Sequence, residues 1–233
     1  MNKPNERKLS ENKLSENKLK LTDRKNGVPF EHYSAIYKSL DPKEISRRCG
    51  LSFDAAASSF GLRILGTEYR APYPDFALLD GAGKNAANAY EKILFLRYLC
   101  EGKYFPFQGK RLAYNEVPWG NVYYRNFEGR CLKRCAAAFG RDIPGFARIF
   151  EQNPALRAEA LDTGDAGYRF EFINGLFVSL ILWGADDEFP PSAQILFDDN
   201  FLFAFTAEDM AAVGDILAER LKSCNIRNEM KPR

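Results

Sequence analysis

Hydrophobic and polar positions alternate most clearly between residues 167 and 183. The stretch reads Gly-Tyr-Arg-Phe-Glu-Phe-Ile, then Asn174-Gly175, then Leu-Phe-Val-Ser-Leu-Ile-Leu-Trp. Period-two alternation predicts two strands. Asn-Gly between them predicts a type I′ turn, because both central positions of that turn need positive φ. A two-residue loop there sets Phe172 opposite Phe177, Phe170 opposite Ser179 and Tyr168 opposite Ile181. One face then carries Tyr168, Phe170, Phe172, Phe177, Ser179, Ile181 and Trp183 and reads as a core wall. Residues 176–183 are apolar on both faces, which predicts a central strand. Pro190 and Pro191 interrupt the pattern as a loop. Ala193–Phe197 reads as a third strand and Phe201–Phe205 as an edge strand, completing a meander near 167–205.

Helical spacing governs much of the rest. Phe30, Tyr33, Ile36, Tyr37 and Leu40 share one side of a helix over 30–40. Asp41-Pro42 is a cap followed by a first-position proline, and Gly50 is a stop signal. Phe60, Leu62 and Ile64 alternate as a half-buried strand. A return through Gly66-Thr67 would oppose Arg63 to Arg70, which is unfavourable and predicts a looser turn. Phe76–Leu79 reads as a further strand. A helix over 84–99 carries Ala86, Ala89, Tyr90, Ile93, Leu96 and Cys100, with a second half apolar nearly all round. Residues 121–139 are helical in part, 143–151 form a short helix, and 152–166 read as a mobile connection. Thr206 caps a final helix over 207–222. Its stripe of Met210, Val213, Gly214, Leu217 and Leu221 is expected to cover the sheet. The fold class is α+β: a mostly antiparallel sheet with helices packed on it.

Composition narrows the function classes. The chain has 233 residues and is 45% hydrophobic, enough for one core of normal size. No run of about twenty apolar residues occurs, so no membrane span is expected. Net charge is +2, and residues 1–26, with eight Lys/Arg and four Asp/Glu, hold +4 of it, leaving −2 for the rest. The body therefore has no basic footprint, and no nucleic-acid partner is expected. Residues 8–12 and 13–17 repeat Lys-Leu-Ser-Glu-Asn. The leucines are five apart and make no helical stripe, so residues 1–26 read as a disordered tail, before one domain at 27–224 and a short tail at 225–233. Five cysteines, none in a CxxC pair, read as reduced thiols in a cytosolic protein.

The single histidine, His32, removes multi-histidine metal sites and reads as an ordinary helix residue. Cys131 and Cys135 share a helical face, and packing is the use assigned to them over half a metal site. Asp186, Asp187 and Glu188 form the acidic loop that could hold a hard divalent cation through oxygen ligands, against the plainer reading of a solvated turn. Trp119, Tyr123, Tyr124 and Arg125, with Trp183, are candidates for an aromatic-lined pocket binding a flat ligand, against core packing. No P-loop, GxGxxG, GxSxG or HExxH motif occurs.

The segment Ile181–Asp198, with its Trp183-Gly184, its acidic loop ending Glu188-Phe189-Pro190 and its Phe197-Asp198, resembles the family known as domain of unknown function 3786. Thr206, Glu208 and Asp209 match that family's capped helix with an acidic pair. Ile93–Leu99 is similar to its central helix, and Gly109–Gly140, with Tyr123-Tyr124, Phe127 and Phe139-Gly140, to its middle region. The resemblance spans about residues 28–224. Arg97 departs from it, since many relatives carry histidine there. It implies a cytoplasmic protein, mostly of anaerobes, with relatives sometimes joined to iron–sulfur domains, and no known activity. Two readings follow. One is a non-catalytic domain binding a small ligand or partner, accessory to metal-cofactor metabolism. The other is an enzyme using the acidic loop with a divalent cation.

Overall fold

The computed structural model describes residues 29–85 and 88–229. The tail predicted at 1–26 lies outside them, as does Ala86. Asn174 and Gly175 have φ of 31° and 84°, as a type I′ turn requires. They join β6 (Ala166–Ile173) to β7 (Leu176–Trp183), with Ile173 opposite Leu176.

Beyond that pair the predicted register fails. A bulge at Phe172 puts Glu171 opposite Phe177, Phe170 opposite Val178 and Tyr168 opposite Leu180. The extra residue lets Phe172 and Ile173 both be buried completely. It also turns Glu171 toward the turn, where its carboxylate accepts from Gly175 N–H at 2.7 Å. Arg63 donates to the same carboxylate through Nε at 2.5 Å and Nη2 at 2.8 Å. The helix-covered face is consequently Tyr168, Phe170 and Phe172 with Val178, Leu180 and Leu182. Phe177, Ser179, Ile181 and Trp183 alternate onto the opposite face. Ser179 opposes Arg169 there instead of making room for Phe170.

β2 (Ser59–Ile64) and β3 (Thr67–Pro72) turn through Leu65-Gly66, one residue earlier than predicted. Arg63 now faces Glu68, with a 3.7 Å ion pair, and the Arg63–Arg70 clash never arises. β1 (Phe53–Asp54), β4 (Arg111–Ala113), β5 (Glu159–Leu161) and β8 (Ser192–Asp198) complete an antiparallel sheet. Its order is β1-β2-β6-β7-β8-β4, with β3 beside β2 and β5 beside β6.

Three segments depart from expectation. Phe76–Leu79 contributes only isolated bridges from Leu79, to Arg70 and to Asn85. The segment 152–166 is not simply a connection, since β5 lies in it and pairs with β6. Phe201–Ala204 is a short helix, α7, not an edge strand. Phe205 N–H closes it on Phe201 C=O at 2.8 Å, and both rings pack on Phe172.

The helices are α1 (29–39), α2 (Pro42–Cys49), α3 (Ala89–Glu101), α4 (Gly120–Phe127), α5 (Lys133–Phe139), α6 (Ile143–Glu151) and α8 (Ala207–Glu229). Asp41, Pro42 and Gly50 bound α2 as predicted. Asn88 and Glu91 form a capping box that starts α3 later than expected. A π-helical turn, Glu128–Leu132, joins α4 to α5. α5 and α6 lie on the sheet. α8, which runs past its predicted end, packs mainly on α3, α4, the π turn, α5 and α6. It is a spine within the helical layer and not a lid laid directly on the strands. Phe95, Phe127 and Phe150 from the surrounding helices meet Phe172, Phe197 and Phe170 of the sheet.

Gly214 is the close crossing point of α8. A Cβ there would lie 2.7 Å from Cys131 Sγ and 2.9 Å from Phe127 Cε2. Helix propensity alone predicts that Gly214→Ala stabilises by about 1 kcal/mol. Packing predicts the reverse, a net loss of about 1–2 kcal/mol once overpacking is included. Urea unfolding of the variant decides between them.

Candidate functional site

A cavity of about 450 Å³ lies among the start of α1, α3, α4, the π turn and the first turns of α8. The physical reason for its chemistry is Arg97. It sits within the helix segment 94–100, whose other residues are all buried, and its side chain is only 19% exposed. Arg97 Nη1 pairs with Asp209 Oδ1 at 2.8 Å. Asp209 is itself buried, and its other oxygen accepts from Thr206 N–H at 3.1 Å and Thr206 Oγ1–H at 2.7 Å. One carboxylate therefore caps α8 and neutralises Arg97. Nη2 is 4.0 Å from Glu101, and the Tyr33 ring lies 5.3 Å from the guanidinium. Nε is enclosed and has no hydrogen-bond partner among the described residues.

Tyr33, Tyr90, Tyr123 and Phe127 give the cavity four aromatic side chains. Burial pushes the Tyr33 phenol above its ordinary value; Arg97 opposes this, while Glu101 and Asp209 add to it. Arg130 and Glu208 also line the space.

The family described as Domain of unknown function (DUF3786) matches residues 41–220. The chain belongs to this family. No curated protein and no solved structure matches it. The part matched by the DUF3786 family includes Tyr90, Arg97, Tyr123 and Asp209.

Of the residues weighed as site candidates from the sequence, Tyr123 and Cys131 line the cavity. Trp119, 80% exposed with φ of 67°, precedes α4 outside the lining. Gly120 follows because its Cβ would fall 1.8 Å from Tyr114 O. Tyr124 and Arg125 are on exposed positions of α4, and Trp183 is at the end of β7. His32 is exposed on α1. Cys131 and Cys135 are buried free thiols. Burial above all pushes both thiols up, Cys135 to about 12, so neither is a ready thiolate.

Asp186, Asp187 and Glu188 are exposed on the loop after β7. Asp186 Oδ1 accepts the N–H groups of Glu188 at 2.9 Å and Phe189 at 2.6 Å, and these bonds hold its carboxyl below the usual range. Among the described residues, no group of three or more His, Cys, Asp or Glu side chains is placed to hold a metal ion. Millimolar Mg²⁺, Ca²⁺ or Mn²⁺ is expected to leave the melting temperature unchanged. A rise would show a cation held by the native state, and a rise lost in Asp186→Asn would place it in this loop.

Sequence reasoning passed over Arg97, Asp209, Tyr33 and Tyr90 as site residues. The available signal was Arg97 itself, a permanent charge within an apolar helical run.

Proposed function

We propose that this domain is a non-catalytic binding protein whose cavity between α3, α4 and α8 takes a small flat ligand. The observation that carries this reading is a half-buried arginine, its enclosed Nε without an acceptor among the described residues, at a cavity lined by three tyrosines. The volume, about 450 Å³, falls within the roughly 300–1,000 Å³ usual for ligand sites. Four described cysteines are buried free thiols, which supports a reducing, cytosolic setting.

A thermal-shift screen of flat aromatic compounds tests it. A ligand at a hundred times its Kd adds about 2.7 kcal/mol to stability. That corresponds to a shift of about 5–10 °C in a domain of this size. Tyr123 is 46% exposed, so Tyr123→Ala is expected to melt near the wild type while losing most of the ligand-induced shift. An equal shift in the variant, or none in the wild type with any flat compound, contradicts the reading.

A further inference from the structure

We propose that the ligand of this cavity is an aromatic monocarboxylate, seated with its carboxylate on the Nε–Nη2 edge of Arg97; this rests on the binding reading above. Three other half-buried arginines show how this chain uses that edge with carboxylates, whereas Arg48 gives Nη1 and Nη2 to the carbonyls of Gly102 and Leu99. Arg63 grips Glu171 through Nε and Nη2. Arg169 grips Asp198 through the same two atoms. Arg220 Nε donates to Glu91 at 2.6 Å. Unlike Arg63, Arg169 and Arg220, Arg97 has Nη1 on its close carboxylate, Nη2 at 4.0 Å from the nearest other one and Nε without an acceptor. The Nε–H and one Nη2–H of a guanidinium are parallel and match the two oxygens of a carboxylate. The unused edge of Arg97 has the shape of the group that fills it elsewhere in the fold.

Charge and shape narrow the class. Arg97 and Arg130 line the cavity with Glu208 and Asp209. Asp209 is committed to Arg97 and to Thr206, and Arg130 is paired with Asp215. Nε is left for an incoming anion and Nη2 has only the 4.0 Å contact to Glu101, while Glu101 and the exposed Glu208 both disfavour a second negative charge. A monoanion fits better than a dianionic phosphate. The rings of Tyr33, Tyr90 and Tyr123 favour an aromatic body, through edge-to-face or offset contact. Nε is enclosed, so binding includes a side-chain adjustment of the Tyr33–Arg97 pair, of the kind common at ligand sites.

Calorimetric titration of the full chain with four probes tests the proposal: phenylacetate, its neutral amide phenylacetamide, acetate and phenyl phosphate. Phenylacetate is expected to bind about tenfold or more tighter than phenylacetamide, the difference that one charge-assisted hydrogen bond supplies. Acetate lacks the ring and phenyl phosphate carries the extra charge, so both are expected to be weaker than phenylacetate. Arg97→Lys keeps a cation for Asp209 but loses the fork, and is expected to weaken phenylacetate about tenfold and to shrink its advantage over phenylacetamide. Equal affinity for phenylacetate and phenylacetamide overturns the carboxylate assignment and leaves the binding reading standing. Binding of phenylacetate that Tyr123→Ala does not weaken places it elsewhere and overturns the proposal. Failure of all four probes also overturns it, and the wider screen of flat compounds then decides the binding reading separately. Should Arg97→Lys fail to fold, the four-probe comparison on the wild type decides alone.

Discussion

Replacing Phe172 with alanine is expected to lower the unfolding free energy by about 3–5 kcal/mol, the cost of deleting a fully buried ring. Domains of ordinary size have only about 5–15 kcal/mol in total. Phe172 is the residue inserted by the bulge, and its ring meets Phe95, Phe201 and Phe205. It ties β6 to α3 and α7 at one point. Phe177 is its partner in an unbulged hairpin, yet it lies on the opposite face beside the Arg169 guanidinium, 4.3 Å from the ring. Phe177→Ala is therefore expected to cost about half as much, because the ring is only partly buried. Denaturant midpoints of the two variants measure this asymmetry. Equal costs would mean that the two rings share one core face.

Glu171→Gln carries the second large effect. Glu171 is 1% exposed and receives Arg63, Gly175 N–H and, at 3.8 Å, Arg157. Burial alone would raise its pKa. The Arg63 hydrogen bond, the Gly175 N–H and the two positive charges outweigh that and hold the folded carboxyl below its ordinary value. A depressed folded pKa stabilises the native state above the unfolded pKa, about 4.3 for glutamate, and the gain is lost as pH falls through the folded value. At pH 7 the variant is expected to be about 2–3 kcal/mol less stable, allowing for partial exposure of Arg63. The gap is expected to narrow as pH drops below about 4.3 and to close in stronger acid. Burial raises Asp198 in spite of Arg169, which gives the opposite pH trend, but that contribution is common to both proteins and cancels in the difference. A gap independent of pH would contradict the ion pair as its source.

What was legible in the chain was local. Asn174-Gly175 states its own turn, and Asp41-Pro42 states its own helix start, because the needed atoms are neighbours. The stripe Met210–Leu221 is buried as its spacing indicates. The bulge was not legible, since its reason is Arg63, 108 residues away in the chain. The Leu65-Gly66 turn depends on the same kind of cross-strand charge match. Phe201–Phe205 alternates like a strand, yet Phe201 and Phe205 are also four apart, and packing on Phe172 selects the helix. β5 was hidden by a composition of small and polar residues that gains order only by pairing with β6. At the cavity, the aromatic signal picked out Tyr123, which lines it, along with exposed side chains such as Trp119, which do not. Arg97 and Asp209 lie on different helices, and only tertiary packing makes them partners.

The most direct test of the cavity as a ligand site is the Nε–Hε resonance of Arg97, assigned by comparison with Arg97→Lys, during titration with phenylacetate. A hydrogen bond to the incoming carboxylate is expected to move it downfield and slow its exchange with water, saturating at one equivalent. A resonance that stays in place at saturation, with shifts gathered instead around Arg169 on the opposite face of the sheet, would contradict the account.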